Sequence, residues 1–166
     1  MRGTLAITAV FGLTGLTALA GCSDDPADVA GEYTISVSNR ENGCNVEGWD
    51  DNASATNIAV TITQNGGSAT AEVGGLTGNY LDFVLGDHIF TGGVDGNHLD
   101  LKLTGDNNFQ NGTCDYHFDA VIDANIDGDV LTGEIRYEAV TDMAIDCEGI
   151  TGCANVQEFN GTRPPT

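Results

Sequence analysis

The chain is 166 residues long and carries 25 acidic against 5 basic side chains, a formal net charge of −20. That balance excludes nucleic acid as a partner, because phosphate binding needs clustered cations, and it repels anionic lipid headgroups. The length suits one domain, and with 23 glycines and no long stretch of 3.6-residue period, helix signals are weak throughout.

Residues 1–21 read as a cleaved secretory signal: Arg2, an apolar run from Leu5 to Ala20, and small residues at its end. The run is about 16 residues, short of the roughly 20 that cross a bilayer, and Gly12, Gly15 and several threonines dilute it. Leu19-Ala20-Gly21-Cys22 resembles the lipobox of bacterial lipoproteins. That resemblance implies cleavage before Cys22, a diacylglyceryl group on its thiol and an acylated amino terminus. The covalent lipid is then the only cofactor expected. Each buried methylene contributes about 0.8 kcal/mol, so two or three acyl chains hold where one holds marginally. Ser23, not aspartate, follows Cys22, which by the sorting pattern of bacterial lipoproteins implies the outer membrane. Residues 22–30 are expected to form the lipidated end and a tether, and residues 31–166 one folded domain.

Residues 31–38 alternate Tyr33, Ile35 and Val37 with polar neighbours, a strand by period. Residues 39–57 have loop chemistry, and within them Trp49, the only tryptophan, reads as a lid over one end of the core rather than a ligand platform. Four hairpins are expected beyond Asn57, with corners at Asn65-Gly66, Gly86-Asp87, Asp95-Gly96 and Asp127-Gly128. These corners set Ile62 across from Ala69, Phe83 from Phe90, Phe90 from Leu101, and Phe118 from Tyr137, so apolar residues share one face. The last hairpin also sets Asp119 opposite Arg136 and His117 opposite Glu138 on its outer face. A final strand is expected near Val156 to Thr162.

About eight or nine strands in chain order, each with one face to bury and an edge to hide, point to an all-β fold, an antiparallel up-and-down β-barrel. A β-sandwich is the alternative. Gly31-Glu32-Tyr33 and Arg163 resemble, in architecture, the lipocalin and avidin-like barrels, where a Gly-x-Trp strand meets a cationic residue near the end of the chain. Asn42-Gly43-Cys44, the hairpins and Phe159-Asn160-Gly161-Thr162-Arg163-Pro164-Pro165 resemble small Gly- and Asp-rich lipoproteins of Gram-negative bacteria. That second resemblance implies no particular activity.

Once Cys22 is lipidated, Cys44, Cys114, Cys147 and Cys153 remain, an even number that in an exported chain implies disulfides. Three pairings are open, and the short loop favours Cys147 with Cys153, leaving Cys44 with Cys114. No Cys-x-x-Cys or His-x3-His spacing supports zinc. Asp123, Asn125, Asp127 and Glu134, with Gly128 sixth in the series and Asp129 beside it, match the spacing of an EF-hand calcium loop. Their flanks alternate with period two where that loop needs helices, so no metal is expected, and a calcium-binding adhesin or sensor is the minor reading.

His88, His98 and His117 are scattered, with His88 expected among packed apolar residues at the end of the barrel. No nucleophile elbow, phosphate loop or His-Glu-x-x-His motif is present, so no catalytic residue is assigned and no enzyme is expected. Small residues between large ones leave either a cavity for one small molecule or a taper. Few aromatics and no polar group aimed inward favour a filled core. The expectation is a lipid-anchored envelope protein with a non-enzymatic binding or structural role, whose protein or small-molecule partner is open. The alternative is a carrier of a small apolar ligand.

Overall fold

The computed structural model describes residues 25–141 and 147–165. The expected signal segment 1–21 and Cys22 lie outside the described residues. Nine strands and one helix follow in chain order: β1 (Gly31–Asn42), β2 (Ser54–Asn65), β3 (Ser68–Val73), α1 (Gly75–Leu85), β4 (Ile89–Asp95), β5 (His98–Leu103), β6 (Phe109–Asn111), β7 (Cys114–Asp127), β8 (Val130–Thr141) and β9 (Ala154–Thr162). Every pairing is antiparallel. Apart from β6, each strand neighbours the next in the chain, while β5 meets β7 and β9 meets β1. The result is a closed eight-stranded up-and-down barrel, with β6 taking up the edge of β7 beyond the part that β5 uses. Closure leaves none of the eight with an unpaired edge.

The alternating residues face inward as expected, and Tyr33, Ile35, Ile58, Val60, Ile62, Phe90, Leu99, Leu101, Ile122 and Phe159 are buried in one cluster. The hairpin registers differ from expectation by one corner position. Ile62 pairs with Ala71, Gly92 with Leu101 and Ala120 with Tyr137, so the corners are Gly66-Gly67, Gly96-Asn97 and Gly128-Asp129. A positive φ falls on the first corner residue, Gly66 (59°), Gly96 (55°) and Gly128 (61°), and not on the second. That is the II′ pattern, whereas the expected corners placed glycine second, as in a I′ turn. Moving a corner by one residue shifts each pairing by two, so the buried face survives the correction. The cross-strand charge pairs do not: Asp119 lies opposite Glu138, Arg136 opposite Val121, and His117 opposite Val140. Asp119 instead meets Lys102 at 2.7 Å and accepts from the Gly105 N–H at 3.2 Å.

The hairpin expected at Gly86-Asp87 is absent because residues 75–85 form a helix. Leu81, Phe83 and Leu85 satisfy a period of two, but Gly78, Leu81 and Leu85 also share a helical face, and these are the buried residues of α1. Gly86 ends the helix in the left-handed region at φ 93°, donating its N–H to Asp82 O. The Asn107 side chain donates to the carbonyls of Asp82 and Phe83 at 3.0 and 2.9 Å, and the Asp106 N–H to Leu85 O. The start of α1, at Gly74, has no side-chain cap.

Both disulfides differ from the favoured pairing: Cys44 bonds Cys153, and Cys114 bonds Cys147. Barrel closure explains the first. Because β1 lies beside β9, the residues just past the end of one and before the start of the other meet, with Cα atoms 4.9 Å apart. Cys114 opens β7, next to β8, and Cys147 follows β8.

Candidate functional site

The two ends of the barrel are built differently. At the end that holds the Gly66, Gly96 and Gly128 corners, residues 25–30, expected as part of a tether, pack across the opening. Val29 is fully buried there. The Ala27 N–H bonds Gly96 O, and the Gln64 side chain accepts from the Val29 N–H at 2.8 Å and donates to Ala27 O at 2.9 Å. Arg163 completes the closure. Its guanidinium donates to Ala30 O at 2.6 Å and to Asp129 at 3.1 Å, and it lies 5.9 Å over the Tyr33 ring, while the Tyr33 hydroxyl donates to Val29 O. The Tyr33 and Arg163 positions singled out in the sequence are thus brought together.

The opposite end is covered only in part. The helix α1 packs there against β2, β3 and β7, with Leu81 and Leu85 turned in, while Leu76, Tyr80 and Phe83 are 87%, 64% and 77% exposed. These three recur at i, i+4 and i+7, an apolar stripe at the rim. Below it lies a cavity of about 350 Å³ bounded by α1 and the inner faces of the strands, among them Ile35, Val60, Ala71, Leu101, Ile122 and Phe159. The expectation of a filled core is therefore corrected. Ala69, Ala71, Ala120, Ala124, Gly133 and Gly161 supply too little volume for eight strands to be filled from within.

The expected absence of inward polar groups is also corrected. Tyr137 of β8 and Gln157 of β9 line the cavity. The Tyr137 hydroxyl donates to Gln157 Oε1 at 2.9 Å, and Gln157 Nε2 donates to Asn39 Oδ1 at 2.8 Å, forming a polar chain that leads toward the surface loop at 43–53. Burial pushes the Tyr137 phenol well above its ordinary pKa, with the neighbouring Tyr80 adding to the rise, so it stays a neutral donor. The apolar alternation already places Tyr137 on the inner face, whereas Gln157 lies between Val156 and Phe159, both buried but out of phase with each other, so alternation does not mark it as inward.

Beside the mouth a second pocket of about 280 Å³ is lined by Trp49, Glu47, Phe118 and Val84, and shares Tyr80, Leu81, Tyr137 and Gln157 with the first. Trp49 thus stands at the rim as expected, its indole N–H directed to Arg40 O at 3.4 Å. The EF-hand set is not assembled. Asp123, Asn125 and Asp127 follow one another along the outer face of β7, spread over about 13 Å by the strand rise. Glu134 is the cross-strand partner of Asp123, and Asp129 is engaged by Arg163.

His98 lies 3.7 Å from Asp123, and His117 lies 3.5 Å from Asp119. His88 is not packed among apolar residues. It follows α1, with Nδ1 at 2.6 Å from Asp82, and Asp87 at 3.9 Å and Glu72 at 3.8 Å also facing it. Among the described residues, Asp82, Asp87 and His88 form the one cluster with ligand-type atoms within 4.8 Å, and Asp82 already engages the imidazole nitrogen there. The hydrogen bond that His88 donates to the Asp82 carboxylate is the main cause of a raised His88 pKa, ahead of the opposing effect of burial. No protein-family profile, curated protein or solved structure matches the chain.

Proposed function

We propose that this protein is a lipid-anchored envelope protein whose barrel binds a small, largely apolar ligand, without catalysis. The observation that carries the reading is the cavity of about 350 Å³, within the range of about 300–1,000 Å³ usual for small-molecule sites. Its lining is aliphatic and aromatic, with Thr77, Tyr80, Tyr137 and Gln157 as its polar members. Such a lining suits an apolar body with one polar end. The anchor rests on the lipobox-like Leu19-Ala20-Gly21-Cys22. Retaining the protein at a surface suits a binder that holds or passes on its ligand.

The test is titration of the soluble domain with an environment-sensitive apolar dye, with stoichiometry from native mass spectrometry. The expected result is saturable one-to-one binding that Ala71→Trp, which occupies part of the cavity, weakens at least about tenfold while far-ultraviolet dichroism is retained. Equal binding by the wild type and Ala71→Trp overturns the reading.

A further inference from the structure

The pocket beside the mouth differs in chemistry from the barrel cavity it adjoins. Four aromatic residues line it, Trp49, Tyr80, Phe118 and Tyr137, and Glu47 is the one charged residue in its lining. Aromatic faces carry negative potential and attract cations, most strongly for tryptophan. Arg40, whose backbone carbonyl faces the Trp49 indole, has its guanidinium committed to Glu158 at 2.7 Å and Asn52 at 2.9 Å. A chain with a net charge of −20 also raises the local concentration of cations and repels anions. A carboxylate or sulfate head would meet no positive group here, whereas an ammonium would meet ring faces and a carboxylate.

We propose that the ligand is a cationic amphiphile, with its apolar body in the barrel cavity and an amine or quaternary ammonium head in the aromatic pocket at the mouth. Tyr80 and Tyr137 line both spaces, so they mark the junction of body and head. Trp49 and Tyr80 supply ring faces, and Glu47 supplies the countercharge. This assignment rests on the proposal that the cavity binds an apolar ligand, and it adds the charge and placement of the head.

Three probes with the same chain test it: decyltrimethylammonium, decanol and decanesulfonate, each below its aggregation concentration and at fixed ionic strength. Affinity is measured by calorimetry, and occupancy of the pocket, in every protein but Ala71→Trp, by the emission of Trp49, the only tryptophan of the chain. The ammonium should bind about tenfold more tightly than decanol, with the sulfonate weakest. Glu47→Gln should bring the ammonium toward the affinity of decanol and leave decanol unchanged, Tyr80→Leu should weaken the ammonium more than decanol, and Ala71→Trp should weaken both. Equal binding of ammonium and decanol overturns the assignment of the head but leaves the cavity reading standing. Unchanged ammonium binding in Glu47→Gln and Tyr80→Leu, or its survival in Ala71→Trp, marks attraction to the acidic surface and overturns it as well. If none of the three probes binds, the cavity reading falls and takes this one with it.

Discussion

Replacing Ala71 by leucine tests whether the barrel is hollow through the sign of a stability change. Ala71 is 2% exposed, pairs with Ile62 on β2 and Phe90 on β4, and lines the cavity. Leucine adds three carbons; at about 0.8 kcal/mol each, burying them contributes roughly 2.4 kcal/mol. Fixing the longer side chain costs about 0.5–1 kcal/mol, so a net gain of about 1.5 kcal/mol is expected. At about 2–4 °C per kcal/mol for a domain of this size, Tm should rise by roughly 3–6 °C. In a filled interior the same change is overpacking and costs about 1–3 kcal/mol. Scanning calorimetry of the ligand-free, disulfide-intact protein decides. A fall in Tm of several degrees refutes the hollow interior and the binding function built on it.

Gly92→Ala should destabilise by about 2 kcal/mol or more, because its Cβ would lie 2.0 Å from Asp100 O and 2.9 Å from Leu101 Cα, prising β4 from β5. Gly149→Ala, with nothing within 4 Å among the described residues, is the neutral control, and urea midpoints compare the two. Loop-closure entropy predicts that Cys44→Ser/Cys153→Ser, opening a link across 109 residues, costs about 4.8 kcal/mol. Cys114→Ser/Cys147→Ser, across 33 residues, should cost about 1 kcal/mol less. Equal denaturation midpoints would contradict that ordering.

His88 has a raised pKa in the folded protein. Its contribution is fully present below its unfolded value of about 6.5 and is lost as pH rises through the folded value. The stability advantage of the wild type over His88→Gln should therefore shrink as pH rises above about 6.5, and Asp82→Asn should abolish most of that slope. The effect is small because the His88 side chain is 30% exposed.

The barrel was legible because alternation is short-range and redundant: Tyr33, Ile35, Val37 and their counterparts declare an inner face in each strand. A one-residue error at a corner leaves that face intact, which is why three displaced corners did not mislead the fold. The helix was not legible, because Leu81, Phe83 and Leu85 fit a strand, and its C-terminal stop at Gly86 reads equally well as a hairpin corner. The disulfide partners depend on β1 lying beside β9, a contact between the chain's first and last strands that no local pattern encodes. The cavity is harder still. It is a volume left over after closure, and the same alanines and glycines are consistent with a taper. Trp49 was placed correctly at one end, but the aromatic company of Tyr80, Phe118 and Tyr137 comes from three different elements.

The unlike ends of the barrel also determine which way an anchored molecule would face. Residues 25–30 cross the closed end, where Val29 is buried and Arg163 ties Ala30 to Asp129. Cys22 precedes Asp25 by three residues, so at most about 10 Å of chain separates the proposed anchor from that end. The mouth lies at the far end of β1, roughly 20 Å away along the barrel axis for about eight residues of tilted strand. Repulsion between the acidic body and anionic headgroups would further disfavour folding the mouth back onto the bilayer. The lipidated protein should therefore hold its mouth toward the aqueous phase, and Trp49 reports on this directly. In vesicles whose acyl chains are brominated, Trp49 emission should stay unquenched while aqueous acrylamide quenches it readily. Quenching by the brominated chains would place the mouth against the lipid, and the cavity would then have to fill from the bilayer it sits on rather than from the surrounding water.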